Sequence, residues 1–243
     1  ADVMRLRTFE DLDIDEFTKN TRAFLKIQDG CNNFCTYCII PYARGRIRSK
    51  AKDDVINEVS KLVNEGYKEI VLTGIHTGRY GIDINTSLEE LLEKLVKIPG
   101  IYRIRLSSIE INEITPKIIK LIKENKVMAK HLHIPLQSGS NIILKLMNRK
   151  YDKEFFINRI NELRSIRPDI SITTDIIVGF PGETDELFKE TIDTVNKIRF
   201  SKIHVFPFSL RNGTKAEELP NHIDQVTKKN RVKELIEIST NLE

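Results

Sequence analysis

Apolar and polar positions along the chain follow two different periods. Short stretches with apolar residues at every second position indicate strands, and longer stretches with apolar residues three or four apart indicate helices. Residues 24–29 alternate in the first manner, whereas Val55, Val59 and Leu62 recur at helical spacing. The pattern predicts six strands, at residues 24–29, 69–73, 101–107, 131–136, 170–178 and 202–208. It predicts one helix after each strand, at residues 53–64, 88–96, 116–123, 152–166, 183–198 and 224–242.

Repeated strand-then-helix units of this size are typical of βαβ connections. Because such crossovers are right-handed, we expect an α/β fold with an all-parallel sheet. Six units are fewer than the eight of a complete (β/α) barrel, so the period alone allows either an incomplete barrel or an open sheet. We assign residues 1–21 to a lead-in segment, 22–220 to the core and 221–243 to a C-terminal helix.

Composition narrows the class of protein. The 243 residues are 40% hydrophobic and 30% charged, which suits a chain with a sizeable core. The sequence contains no apolar run of about 18 residues and no segment of the secretory leader type, so we expect a cytoplasmic protein that does not insert into a membrane. The net charge of +4 permits a nucleic-acid partner without requiring one.

The three cysteines, Cys31, Cys35 and Cys38, lie within eight residues directly after the first predicted strand. An odd number of cysteines grouped so tightly cannot be a disulfide framework and indicates metal binding or catalysis. Iron–sulfur clusters normally take four thiolates, so three thiolates would leave one iron open to a small ligand. The alternative is a zinc site with a fourth protein ligand, for which His76 is the nearest histidine in sequence.

Every predicted strand leads into a polar or glycine-rich segment. The carboxyl ends of parallel strands open onto one face, where ligands bind, so we expect these segments to line one site. Arginine side chains bind phosphate in a two-point fashion. We therefore predict RNA contacts from Arg44, Arg46 and Arg48, which follow the cysteines, and from Arg211, which follows the sixth strand. A solvated basic stretch or internal ion pairs are the alternatives.

The segments around these positions resemble a known family. The spacing Cys31-x3-Cys35-x-Tyr37-Cys38 after a first strand is similar to the signature of the radical S-adenosylmethionine (SAM) enzymes. Three further segments resemble the radical SAM methylthiotransferases: His133-Ile-Pro-Leu-Gln-Ser-Gly-Ser140, Met147-Asn-Arg-Lys-Tyr151 and Thr174-Asp-Ile-Ile-Val-Gly-Phe-Pro-Gly-Glu-Thr184. Two short loops, Thr73-Gly-Ile-His-Thr-Gly78 and Ser107-Ser-Ile-Glu110, look most like the branch that modifies N6-threonylcarbamoyladenosine in tRNA.

The resemblance implies a six-unit partial (β/α) barrel of the radical SAM type. It also implies an enzyme that adds a methylthio group to C2 of N6-threonylcarbamoyladenosine in tRNA. Cys31, Cys35 and Cys38 would hold a 4Fe–4S cluster, with SAM on the open iron. One electron, from a reductant such as flavodoxin or ferredoxin, would cleave SAM to a 5′-deoxyadenosyl radical. The same chemistry on isopentenyladenosine in tRNA or on a ribosomal protein is an alternative, and a non-catalytic zinc- and RNA-binding module is another.

The resemblance further implies which side chains contact SAM. Gly74 matches the place where the backbone approaches the methionyl end, and Glu110 and Arg149 are candidates to pair with its amino and carboxylate groups. The full set of expected cofactor contacts is Tyr37, Gly74, Glu110, Gln137, Ser138, Arg149, Asp175 and Phe206. Family members usually carry an N-terminal domain with a second 4Fe–4S cluster and a C-terminal RNA-binding domain. Neither is found in residues 1–243, so we expect this chain to supply the SAM-cleaving core.

Overall fold

A computed structural model describes residues 3–10 and 21–242 of the chain. Most of the expected lead-in segment lies outside the described residues, and within the described part of it Val3–Arg5 form a 3-10 turn. The chain divides into two compact units. The described residues up to Asn32 form the first unit with residues 40–132, and residues 33–39 form the second with residues 133–242. Cys31 thus belongs to the first unit, whereas Cys35 and Cys38 belong to the second.

The first unit contains a four-stranded sheet in the order β2-β1-β3-β4. Its strands are β1 Arg22–Asp29, β2 Arg48–Ser49, β3 Glu69–Gly74 and β4 Arg103–Leu106. β1 pairs in parallel with β3, and β3 with β4, as expected. The two-residue β2 pairs antiparallel to β1, so the expectation of an all-parallel sheet is wrong at this edge. The physical reason is that β2 returns alongside β1 instead of entering the sheet through a crossover.

Four helices belong to the first unit: α1 Ile40–Arg44, α2 Lys52–Asn64, α3 Leu88–Leu95 and α4 Pro116–Glu124. The sequence predicts the last three, whose apolar sides are buried, and misses the five-residue α1. Side-chain hydrogen bonds cap the N-termini of α3 and α4. Ser87 accepts a hydrogen bond from the backbone N–H of Glu90, and Thr115 accepts one from Ile118, both at 3.2 Å.

A three-stranded sheet has the order β5-β6-β7 and belongs to the second unit from His133 onwards. The elements in this part of the chain are β5 His131–His133, α5 Asn141–Leu146, α6 Lys153–Ile166, β6 Ser171–Val178, α7 Asp185–Ile198, β7 Lys202–Pro207 and α8 Gln225–Leu242. Alternate residues of β6 are fully buried, so Thr173, Asp175 and Ile177 share the half-buried face. β6 and β7 are parallel, and their register places Asp175 opposite His204.

β5 is shorter than the predicted strand at 131–136. Pro135 has no N–H to donate to a ladder, and Gln137 has a φ of 68°. Gln137 nevertheless makes an isolated parallel bridge to β6, because its N–H donates to the Asp175 carbonyl at 2.8 Å and its carbonyl accepts from the Ile177 N–H at 2.9 Å. The loop after β5 is therefore tied to the middle of the sheet. In the described part of the chain, no helix combines the length and the apolar character needed to cross a bilayer.

Candidate functional site

A buried clamp at the end of β1 positions the first cysteine. The Gln28 Nε2 donates to the carbonyl oxygens of Asp29 at 2.7 Å and Gly30 at 2.6 Å, and its Oε1 accepts from the backbone N–H of His76 at 2.7 Å. Gly30 has a φ of 74°, and a Cβ there would lie 1.9 Å from the Arg46 carbonyl oxygen. Only glycine fits such a position. Gln28 therefore holds the start of the cysteine loop against the loop that follows β3, a role that the sequence does not reveal.

Gly74 and Glu110, two of the expected SAM contacts, belong to the same unit as Cys31. A Cβ on Gly74 would lie 2.9 Å from the Gln28 Oε1, so the close packing of β3 on β1 already accounts for a glycine at this position. Glu110 follows β4 and precedes a 3-10 turn, where its carbonyl accepts from the Glu113 N–H at 3.0 Å. Their contacts with SAM remain predictions.

Cys31 lies beside a buried histidine. The Sγ of Cys31 is 3.4 Å from the Nδ1 of His76, and the Nε2 of His76 is 2.5 Å from the Oε1 of Glu113. Burial alone lowers the pKa of His76, but the hydrogen bonds with Cys31 and Glu113 outweigh burial and raise the pKa to about 9. The Nδ1 of His76 faces the Cys31 sulfur and its Nε2 faces Glu113, so the ring is held at the start of the cysteine loop.

The three arginines after the cysteines have different surroundings. Asp29 accepts from Arg44 twice, at 3.1 Å and 2.8 Å, so Arg44 is engaged although its side chain is about half exposed. Arg48 is 4% exposed and donates to the carbonyl oxygens of Arg44 and Arg46. We therefore do not retain Arg48 as an RNA contact, because it closes the loop internally. Arg46 has an exposed side chain.

Asp29 carries the charge that holds this loop together. Burial by itself raises the pKa of Asp29, but hydrogen bonds from Lys26, Arg44 and the Gly30 N–H outweigh burial and hold the pKa below its ordinary value. The carboxylate is therefore ionised at neutral pH, and it faces the Arg48 guanidinium at 3.6 Å as well. The basic residues near the cysteines thus serve partly to fix the loop.

Cys35 and Cys38 lie on one turn of the second unit, where the Cys38 N–H donates to the Cys35 carbonyl at 3.0 Å. The Arg149 Nη1 donates to the Sγ of Cys35 at 3.3 Å, and its Nε donates to the Tyr151 hydroxyl at 3.1 Å. Arg149, expected at the SAM carboxylate, thus reaches a cysteine sulfur. Within the described residues no cysteine forms a disulfide. Three thiols, two of them beside cationic side chains, are a donor set that fits an iron–sulfur cluster.

A cavity of about 270 Å³ in the second unit brings together five of the residues predicted from the sequence. Gln137 is the informative one, because its Oε1 is buried and has no hydrogen-bond partner among the described residues. A buried carbonyl oxygen without a partner is stabilised by a donor from a ligand, and Gln137 is one of the residues that line the cavity. The arrangement therefore fits a small molecule with amino or hydroxyl groups. The cavity is lined by Tyr37, Gln137, Asp175, Ile177, Phe206, Pro207, Phe208, Ser209 and Arg211.

Ser138 is not among the residues that line this cavity. Its side chain is fully buried, with Oγ 3.3 Å from the Thr191 Oγ1, and it accepts from the backbone N–H of Ser140 at 3.2 Å. Ser138 therefore packs the loop after β5 against α7. Tyr37, in contrast, packs edge-on against the buried Phe180, with ring centroids 6.3 Å apart, so its ring is held in place at the cavity.

Comparison with known proteins identifies the family. Residues 25–195 match the model of the radical SAM superfamily. The chain belongs to the radical SAM superfamily. Over its whole length this radical SAM chain is 49% identical to threonylcarbamoyladenosine tRNA methylthiotransferase MtaB of Bacillus subtilis, of which it covers 54%. It is 47% identical to tRNA-2-methylthio-N(6)-dimethylallyladenosine synthase of Thermoanaerobacter pseudethanolicus, over 92% of the chain and 48% of that protein.

The radical SAM chain thus spans about half the length of the curated relatives that it matches. Among solved structures it resembles the radical SAM methyltransferase TsrM of Kitasatospora setae, with a TM-score of 0.69 and 16% identity over 88% of the chain and 42% of that protein. These comparisons confirm the predicted resemblance to the radical SAM enzymes and the α/β fold of the radical SAM partial-barrel type. Membership of the superfamily implies a 4Fe–4S cluster and SAM.

Proposed function

We propose that the chain is the SAM-cleaving core of an enzyme that adds a methylthio group to C2 of N6-threonylcarbamoyladenosine in tRNA. The observation that carries this proposal is the 49% identity, over the whole chain, to a protein named for threonylcarbamoyladenosine in tRNA. The segments that resemble this branch, residues 73–78 and 107–110, lie at the carboxyl ends of β3 and β4. In parallel α/β folds these ends are where ligands bind.

Cys31, Cys35 and Cys38 are the proposed cluster ligands. A 4Fe–4S cluster, when bound, supplies the electron for reductive cleavage of SAM, and a flavodoxin or ferredoxin would deliver that electron. The chain's own contribution is to set the charge around the sulfurs. His76 at Cys31 and Arg149 at Cys35 place hydrogen-bond donors beside two of the three sulfurs. Hydrogen bonds to cluster sulfurs are one of the levers by which proteins tune reduction.

The cavity of the second unit is the proposed place for the adenosine portion of SAM. Phe206 is 50% exposed and offers a flat apolar surface to the base, and the Oε1 of Gln137 accepts from an amino or hydroxyl group. Asp175 lines the same cavity and offers a carboxylate to ribose hydroxyls. Gly74 and Glu110 remain the proposed contacts for the methionyl end, and Ser138 supports the Gln137 loop from behind.

Arginines with accessible side chains are the proposed contacts for tRNA. Arg46 and Arg211 are exposed, and Arg211 also lines the cavity, so it stands where a base and its phosphate would approach SAM. Arg44 is about half exposed but already paired with Asp29, so we propose that it contributes less to tRNA binding than Arg46 and Arg211. Because tRNA is the substrate, we propose that the enzyme acts in the cytoplasm.

A second substrate has specific support. The identity to the dimethylallyladenosine synthase is 47%, close to the 49% to MtaB. The same core on a dimethylallyladenosine base is therefore the competing proposal.

Nucleoside mass spectrometry on tRNA from a strain that lacks the parent gene, meaning the gene that encodes this chain, separates the two substrates. We expect the methylthio mark to disappear from threonylcarbamoyladenosine and to persist on dimethylallyladenosine. The opposite pattern would favour the second substrate, and persistence of both marks would exclude both. Complementation with the parent gene should restore the mark, whereas a Cys35→Ala version should not. Ser165→Ala on α6, a small exposed polar residue, is the control for expression.

A further inference from the structure

We propose that His133, Asp175 and His204 form a metal site for a divalent first-row transition metal ion such as zinc or ferrous iron, distinct from the cysteine set. Three neighbouring strands contribute one ligand each: β5 contributes His133, β6 Asp175 and β7 His204. Two imidazoles and one carboxylate are the donor set of many zinc and ferrous iron sites in proteins. The site lies within the second unit and requires no residue of the first.

The sheet register brings the three side chains to one place. Asp175 and His204 stand directly opposite each other on β6 and β7, and the Nε2 of His133 is 3.1 Å from the Oδ2 of Asp175. All three donor atoms lie within 4.8 Å of one another. Donors about 2.1 Å from a tetrahedral zinc ion are about 3.4 Å apart. One pair already has this separation, and His204 is exposed, so a rotation of its side chain completes the set.

The other ring nitrogen of His133 is anchored as ligating histidines usually are. The Oγ1 of Thr173, two residues before Asp175 on the same face of β6, lies 2.9 Å from the Nδ1 of His133. Such an outer hydrogen bond orients the ring and directs Nε2 to the metal. The imidazole of His204 makes no hydrogen bond or ion pair with any residue that the structure describes, and its ring lies 5.8 Å from the His133 ring. Its nitrogen lone pair is therefore available to an ion.

A metal ion at this site would have open coordination positions next to the cavity. Three protein ligands leave coordination positions for water or for a substrate atom. Asp175 also lines the cavity that holds Gln137 and Phe206, so a molecule in the cavity can reach the remaining positions. A His–Asp hydrogen bond alone would not require the second histidine, which is why the set of three favours a metal over a simple ion pair.

Cobalt(II) titration of the whole chain tests the site. The cysteines also bind transition metals, so the titration uses a Cys31→Ser, Cys35→Ser, Cys38→Ser background. We expect one bound ion per chain, with weak visible d–d absorption and no sulfur-to-cobalt charge-transfer band. His204→Ala and Asp175→Asn should each weaken binding by at least about tenfold.

The control is His222→Ala, because His222 is an exposed histidine outside the cluster, and it should leave the affinity unchanged. Far-UV circular dichroism checks that each variant folds, which we expect because His204 is exposed and asparagine has the shape of aspartate. Absence of stoichiometric binding, or equal affinity in the His204, Asp175 and His222 variants, would overturn the proposal. In the chain with its cysteines intact, elemental analysis after cluster reconstitution should show one zinc beyond the iron, lost in His204→Ala.

Discussion

The ion pair between Arg231 and Glu183 predicts a large, pH-dependent loss of stability on Arg231→Met. Arg231 is 5% exposed, and its Nη1 donates to the carbonyl and the Oε1 of Glu183 at 2.9 Å and 2.8 Å. Glu183 is 1% exposed and also accepts from the Gly179 N–H at 2.7 Å. The pair joins α8 to the loop after β6.

The magnitude follows from the burial of both partners. Methionine keeps the unbranched apolar stem of arginine, but it removes the guanidinium, whose carbon lies 5.3 Å from the Phe188 ring, and leaves the Glu183 carboxylate without a cation. Breaking a buried ion pair in this way costs about 3–5 kcal/mol. Asp185, the other partner of Arg231, has a side chain that is 90% exposed, so Asp185→Asn should cost about 0–1 kcal/mol. Asp185→Asn is therefore the matched control.

The sign of the pH dependence is set by Glu183. Burial raises the pKa of Glu183, against the opposing effects of the Gly179 N–H and Arg231. A folded-state pKa above the unfolded one stabilises the fold at acid pH, and this contribution is lost as pH rises through the folded pKa. Without Arg231 the pKa of Glu183 rises further. The destabilisation by Arg231→Met should therefore be smallest at acid pH and should grow as Glu183 ionises.

Urea unfolding followed by circular dichroism at several pH values between 5 and 8 measures this effect. For a slope of about 2–3 kcal/mol per molar urea, the loss lowers the midpoint by about 1–2.5 M at neutral pH. In a Glu183→Gln background, Arg231→Met should cost much less and should lose its pH dependence. A cost below about 1 kcal/mol at neutral pH, or the same cost with and without the Glu183 carboxylate, would refute the electrostatic reasoning.

Three further predictions concern the site. Gly30→Ala should lower the unfolding free energy by more than the ~1–3 kcal/mol of a strained φ alone, because the added Cβ would also clash with the Arg46 carbonyl oxygen. Gly66→Ala, at φ 99° with nothing within 4 Å, should cost the strain only, and chemical denaturation compares the two variants. Gln137→Leu should weaken SAM binding about 3- to 10-fold by calorimetry without lowering the melting temperature, because it removes a buried oxygen that has no partner. Unchanged SAM affinity would show that Gln137 does not contact SAM. In the parent protein, Arg211→Ala should lower the salt dependence of tRNA affinity by about one unit of slope if it contacts one phosphate, and Arg48→Ala should leave the slope unchanged.

Elements with a long, regular period are predictable from the sequence, and short ones are not. β6 alternates buried and half-buried residues over its whole length, and the predicted strand at 170–178 differs from it by one residue. β2, α1 and α5 have two, five and six residues, too few for a period to be visible. β5 stops early because Pro135 interrupts the ladder, although the apolar alternation continues beyond it.

The same distinction separates the parts of the site. The cysteine loop is a local signal, since ligand spacing along one segment is enough to indicate a shared metal. The cavity residues are partly local, because each lies within or after a strand whose carboxyl end is expected to bind ligands. The partnership of Asp29 with Arg48, and that of Asp175 with His204, depends instead on which residues of two strands stand opposite each other. In a strand a shift of one residue turns every side chain to the other face. Helix and loop packing sets that register between β6 and β7, so a histidine two residues before Phe206 carries no recognisable meaning until the pairing with Asp175 is known.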